Sequence, residues 1–267
     1  MARIGGVHGI RQLRTSEKIL KGQWSEALNR GLADLGQPRL PADALELPHW
    51  TRLLARGAEH LGPEEEPSLS AEDIAFVTAA LEDVVSEEEL ARVDAAGEGT
   101  LGPPQLWPAA LTRLMCAYDQ RWPRAGEFFV ARMREVRLYL YEPRLAEQVR
   151  EFVAEAFAPG VGAVVGHSLG SVIGYDLLRR GEVKGVRTFV SCGSPLAVPT
   201  VRRALGVVEG VDGVRWVNAF DPKDVVTGGA GLGLAGVVDV EVDNGRVDPH
   251  GVAGYLEAVA GECGTAG

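Results

Sequence analysis

The amino-acid sequence predicts an α/β fold: a mostly parallel sheet flanked by helices, with a helical insertion over residues 57–134, ahead of the strand that runs into Ser168. Three observations predict it. From Glu142 onward, helical and apolar segments alternate in the rhythm of βαβ units. The apolar runs at 161–165 and 186–190 are continuous rather than alternating, as strands covered on both faces of a parallel sheet require. Residues 63–99 carry twelve acidic side chains and one base, Arg92, yet Ile74, Val77, Leu81, Val84 and Val85 keep helical spacing.

Each element follows in order. Residues 3–7 are short, apolar and Gly-punctuated, a strand entering a loop at His8-Gly9-Ile10. Trp24, Leu28, Leu32 and Leu35 recur at helical spacing, and Gly36 ends that helix before Pro38. Residues 44–47 form a second short strand. Ser70, with Asp73 three residues later, opens the acidic amphipathic helix as a capping box, and its charges read as a solvated face or a contact surface. The Gly- and Pro-rich stretch 97–108 breaks the chain before further helix at 109–134.

A helix over 142–157, apolar at Leu145, Val149 and Val153, leads through Pro159-Gly160 to the strand before Ser168, and a second helix runs on through Leu178. Then come the strand at 186–190, the turn Gly193-Ser194-Pro195, a strand at 214–220, an alternating strand at 237–242 and a closing helix after His250-Gly251. Gly231 to Gly236 matches Gly-x-Gly-x-x-Gly nominally. It precedes a strand instead of following one, so it reads as a flexible loop and not a dinucleotide site.

At 267 residues the chain has the length of one domain with an insertion. A net charge of -10 argues against nucleic acid or an anionic membrane as partner, and a neutral or cationic small molecule fits better. Cys116, Cys192 and Cys263 lack metal-type spacing and form no disulfide framework; Cys192, in an apolar run, reads as core. No run approaches the ~18 apolar residues of a membrane span, and the start lacks a long apolar stretch. A cytoplasmic protein is expected.

The segment Gly166-His167-Ser168-Leu169-Gly170 sits between the strongest strand candidate and a helix of small and apolar residues. That is the sharp strand-to-helix turn from which a serine hydroxyl projects as a nucleophile. A hydroxyl needs a base to remove its proton, and the base needs an acid to orient it. In the order Ser, Asp, His, the C-terminal part supplies His250 as base and Asp224 as acid, with Asp221 the competing acid and Asp248 a loop former. At the helix N-terminus, the Leu169 backbone N–H and the helix dipole face a developing oxyanion.

With Val7-His8-Gly9-Ile10, Gly166-His167-Ser168-Leu169-Gly170-Ser171, the Asp224-Val225-Val226 turn and His250 before a closing helix, the chain resembles the lipase and esterase branch of the α/β-hydrolase superfamily. The resemblance covers the first ten residues and about 137–257. It implies that the Ile10 amide is the second oxyanion donor, that Ser168, His250 and Asp224 act as a triad, and that neither cofactor nor metal is needed. Two strands that open the family's core have no counterpart ahead of His8-Gly9. The insertion also precedes the nucleophile strand, so the resemblance assigns it no lid role. Cleavage of an ester or related acyl bond of a small molecule is expected. The alternatives are a thioesterase, peptidase or acyltransferase with the same triad, or a hydrolase-like protein that binds a ligand or partner without catalysis.

Overall fold

A computed structural model describes residues 3–10, 12–53, 69–96 and 107–264. At its centre is a six-stranded sheet in which every pairing is parallel: β1 (Ile4–Val7), β2 (Leu45–Glu46), β3 (Ala163–His167), β4 (Thr188–Cys192), β5 (Arg215–Phe220) and β6 (Val237–Glu241). The strands lie in the order β2-β1-β3-β4-β5-β6. The chain therefore steps one way from β1 to β2 and the other way from β3 onward. That reversal leaves a crevice outside the carboxyl ends of β1 and β3, the place where open α/β sheets bind ligands.

Alternate strand residues divide the interior into two cores, since successive side chains leave opposite faces of a strand. On one face Val165, Val190 and Ala219 meet Leu20, Trp24, Leu28 and Leu32 of α1 (Glu17–Asp34) and Tyr255, Leu256 and Val259 of α9 (Val252–Gly264). On the other, Val164, Phe189 and Trp216 meet the remaining helices. Those are α2 (Ala71–Val84), α3 (Glu87–Ala96), α4 (Ala109–Asp119), α5 (Ala125–Tyr141), α6 (Pro143–Phe157), α7 (Leu169–Arg179) and α8 (Pro199–Leu205). Strands β3 and β4 are buried at every position, as continuous apolar runs require, but each lies two residues later than its expected run, at Ala163–His167 and Thr188–Cys192 instead of 161–165 and 186–190. Strand β6 lies at the sheet edge with Val238, Asp239 and Glu241 exposed and Val237 and Val240 half-buried, so its alternating sequence does not produce alternating burial.

Several local expectations change. The acidic segment forms two helices, because Ser86 starts a new one: its Oγ accepts from the Glu89 amide (3.3 Å) while the Glu89 carboxylate accepts from the Ser86 amide (2.8 Å), a second capping box beside that of Ser70 and Asp73. Its acidic face is not wholly solvated. Asp73 and Glu89 are buried and bonded to Arg137 (2.5 Å) and Arg121 (2.7 Å). The helix expected over 109–134 is likewise two, α4 and α5, with Arg124 in the left-handed region between them (φ 66°). The glycine-rich loop before β6 is pinned, not loose, since the Leu232 and Gly233 amides donate to the Asp239 carboxylate at 2.9 and 2.8 Å. The start of the expected insertion, 57–68, and most of the Gly- and Pro-rich stretch, 97–106, lie outside the described residues.

No helix among the described residues is long and apolar enough to cross a membrane.

Candidate active site

Strand β3 delivers the chain to Ser168 at the crevice, and α7 leaves from it. Ser168 has φ 54° and ψ -131°, a region that non-glycine residues occupy only when the surroundings enforce it. The surroundings do so here. The Ser168 amide donates to Cys192 O at the end of β4 (3.0 Å), and the Ser168 carbonyl accepts from the Ser171 amide (2.9 Å) and the Ser171 hydroxyl (2.5 Å). A side chain at Gly166 would put Cβ 2.5 Å from Ser171 Cα, and one at Gly170 would overlap the Val7 carbonyl oxygen. The two glycines of the motif thus let the turn close onto β1, which brings the His8-Gly9 loop against the serine.

His250 lies between β6 and α9, its ring against a carboxylate. Its Nδ1 is 2.8 and 3.0 Å from the two oxygens of Asp224. A carboxylate only accepts, so Nδ1 carries the proton and the neutral ring keeps its acceptor lone pair on Nε2. Asp224 is completely buried and accepts two further bonds, from the Val226 amide (2.8 Å) and the Tyr255 hydroxyl (2.7 Å). Asp221, the competing acid, accepts instead from the Lys223 amide (2.7 Å) and the Asn244 amide (2.6 Å). It ties the loop after β5 to the loop that carries His250.

His167 contacts His250. Its ring centre lies 4.8 Å from that of His250, and its Nε2 is 2.8 Å from the His250 carbonyl oxygen. The carbonyl fixes the Nε2–H tautomer, so this neutral ring anchors the His250 backbone one residue before Ser168. Burial lowers the His167 pKa to about 3, with the nearby His250 ring adding to the effect. Burial likewise lowers His8 to about 4. His8 donates from Nδ1 to Gly9 O (2.7 Å) and stacks on Trp50, whose Nε1–H holds the His8 carbonyl (2.9 Å). The loop before Ile10 is fixed by these contacts.

The Leu169 and Ile10 amides have no hydrogen-bond partner among the described residues. Both residues line one narrow pocket with Trp50, Glu135, Leu138 and Tyr139, about 10 Å³ in volume, room for one water. Ser168 Oγ makes no hydrogen bond to His250 in this structure. The ring is held through Nδ1 and the backbone, and neither anchor governs the rotamer of the serine.

Three contributors escape sequence reasoning. Tyr255 of α9 donates to Asp224, and also accepts from the Asp221 amide (3.0 Å). Phe128 of α5 lies edge-on to the His250 ring at 6.2 Å. Tyr118 of α4 donates to Val225 O (2.5 Å), beside the acid. A lone aromatic on an apolar helix face signals only core, so nothing in the sequence separates these from other core rings. Among the described residues no group of three or more His, Cys, Asp or Glu side chains is placed to hold a metal ion. No family model matches the chain, and no curated protein or solved structure matches it.

Proposed function

We propose that this chain is a serine hydrolase that cleaves an ester or related acyl bond of a small molecule. The observation that carries the reading is the Asp224–His250 pair: a buried carboxylate fixes the imidazole tautomer that leaves Nε2 basic, at the crevice where Ser168 sits in a strained turn. In the proposed reaction Ser168 Oγ attacks the carbonyl carbon and its proton passes to His250 Nε2. The tetrahedral oxyanion takes hydrogen bonds from the Leu169 and Ile10 amides. As it collapses, His250 gives the proton to the leaving alcohol, and Ser168 is left acylated. Water, deprotonated by His250, then releases the acid and restores the serine. Asp224 keeps its charge throughout and stabilises the imidazolium.

A fluorophosphonate probe tests this. Labelling of the wild type that disappears in Ser168→Ala is expected, and falls at least tenfold in His250→Gln. An unlabelled wild type, or equal labelling of Ser168→Ala, overturns the reading. One observation favours a second reading, a hydrolase-like protein that binds without cleaving: the pocket lined by Leu169 and Ile10 is small, about 10 Å³. The unlabelled outcome would select it.

A further inference from the structure

At the C-terminal end of α7, away from Ser168 at its start, lies a cleft of about 380 Å³ whose lining includes Tyr139, Arg150, Asp176, Arg179, Arg180 and Leu205. Its chemistry centres on one buried carboxylate. Asp176 Oδ1 accepts from Arg179 Nε (2.7 Å) and Arg180 Nε (2.9 Å), while Oδ2 accepts from Arg150 Nη1 (3.2 Å) and the Tyr139 hydroxyl (3.0 Å). Four donors fill the acceptor capacity of a carboxylate. Burial pushes this carboxyl up, but the hydrogen bonds from Arg180 and Arg179 outweigh it and hold the group below its ordinary value.

One negative charge thus fixes three guanidinium planes, and does so without using all their donors. Arg150 Nε goes to Glu182 (3.1 Å) and Arg179 Nη1 to Leu205 O (3.1 Å). Arg150 Nη2, Arg179 Nη2 and both Arg180 Nη atoms have no hydrogen-bond partner among the described residues. The lining carries three cations, Arg150, Arg179 and Arg180, with Asp176 and Glu147, and Glu182 at its margin takes Arg150 Nε. Planar guanidinium donors held in fixed positions with N–H groups left over are the arrangement that recognises tetrahedral oxyanions. The volume is at the small end of ligand pockets, larger than an ion needs.

We propose that this cleft binds a small phosphomonoester, its phosphoryl oxygens taking the unused Arg150, Arg179 and Arg180 donors. The site is separate from Ser168 and does not depend on the hydrolase reading.

Isothermal titration calorimetry of the full chain at constant ionic strength tests it, with inorganic phosphate, ribose 5-phosphate, adenosine monophosphate and citrate as titrants. Saturable binding of a phosphate ester, unchanged in Ser168→Ala and at least tenfold weaker in Arg180→Gln, is expected. Arg180 is half-exposed, so that variant keeps the fold, as circular dichroism would show; Arg179→Lys, which retains charge but loses the planar fork, weakens binding as well. Tighter binding of an ester than of inorganic phosphate identifies the ester as ligand, and the reverse order overturns that part. No heat from any phosphoryl compound up to 10 mM (roughly the weakest useful affinity), equal affinity in Arg180→Gln, or citrate binding as tightly as the esters overturns the proposal.

Discussion

Among single residues, Asp224 shows how the site's polarity is set. A carboxylate fully removed from water is costly unless its lone pairs are filled, and here His250, Tyr255 and the Val226 amide fill them. Burial, followed by the negative charge of Asp224, raises the Tyr255 phenol far above its ordinary value, so this hydroxyl remains a donor at every working pH. Tyr255→Phe deletes a hydrogen bond to a charged group, worth about 1.5–3 kcal/mol. On the hydrolase reading kcat is expected to fall roughly tenfold or more with KM little changed, because the orientation of His250 matters in the reaction and not in binding. Steady-state kinetics on an ester that the wild type cleaves would show it; an unaltered kcat would mean that Asp224 is held well enough without the phenol.

For the elements, the strand–turn–helix unit at Ser168 stores strain. Positive φ at a residue with a Cβ costs on the order of 1–3 kcal/mol, and only glycine avoids that cost. Ser168→Gly and Ser168→Ala both lack the hydroxyl, so their stabilities differ through the backbone alone. The glycine variant is expected to be about 1 kcal/mol more stable in urea unfolding, and an alanine variant of equal or greater stability would show the turn to be unstrained. The same scale explains the acidic segment. Hydrophobic periodicity runs through residues 71–96, but the capping boxes at Ser70 and Ser86 decide that there are two helices. The Ser86 box was readable, since Glu89 stands three residues on. The longer periodic run hid it.

Across the whole molecule, titration couples two buried histidines, His8 and His167, to folding. His8 and His167 sit near pKa 4 and 3 in the fold, against 6.5 for the free side chain, because burial disfavours the imidazolium. Below pH 6.5 the unfolded chain takes up protons that the native state refuses, so stability falls as pH falls, until the folded values are reached. Between pH 7.5 and pH 5 the two together should remove about 2–4 kcal/mol. Asp176 acts later: its depressed pKa contributes stability above about pH 4, lost as pH falls through the folded value. Urea titrations at pH 7.5, 6 and 5 check the histidine window. A flat profile there would contradict burial of the neutral rings, and His167→Gln should roughly halve the slope.

The sequence by itself determined the α/β class, the continuous strands β3 and β4, the turn at Ser168 and the choice of Asp224 over Asp221 for the neighbour of His250. These are legible because local rules govern them: periodicity is read along the chain, and the glycines around Ser168 report a turn that crowds its own backbone. Only the tertiary structure decided that Tyr255 bonds Asp224, that His167 contacts His250, that Tyr118 of α4 and Phe128 of α5 reach the Val225 carbonyl and the His250 ring, and that Arg150, Arg179 and Arg180 converge on Asp176. Each of these but the Arg179 and Arg180 contacts joins residues far apart in sequence. A residue type at helical spacing says which face is buried, whereas the partner it finds there depends on how the layers pack against the sheet.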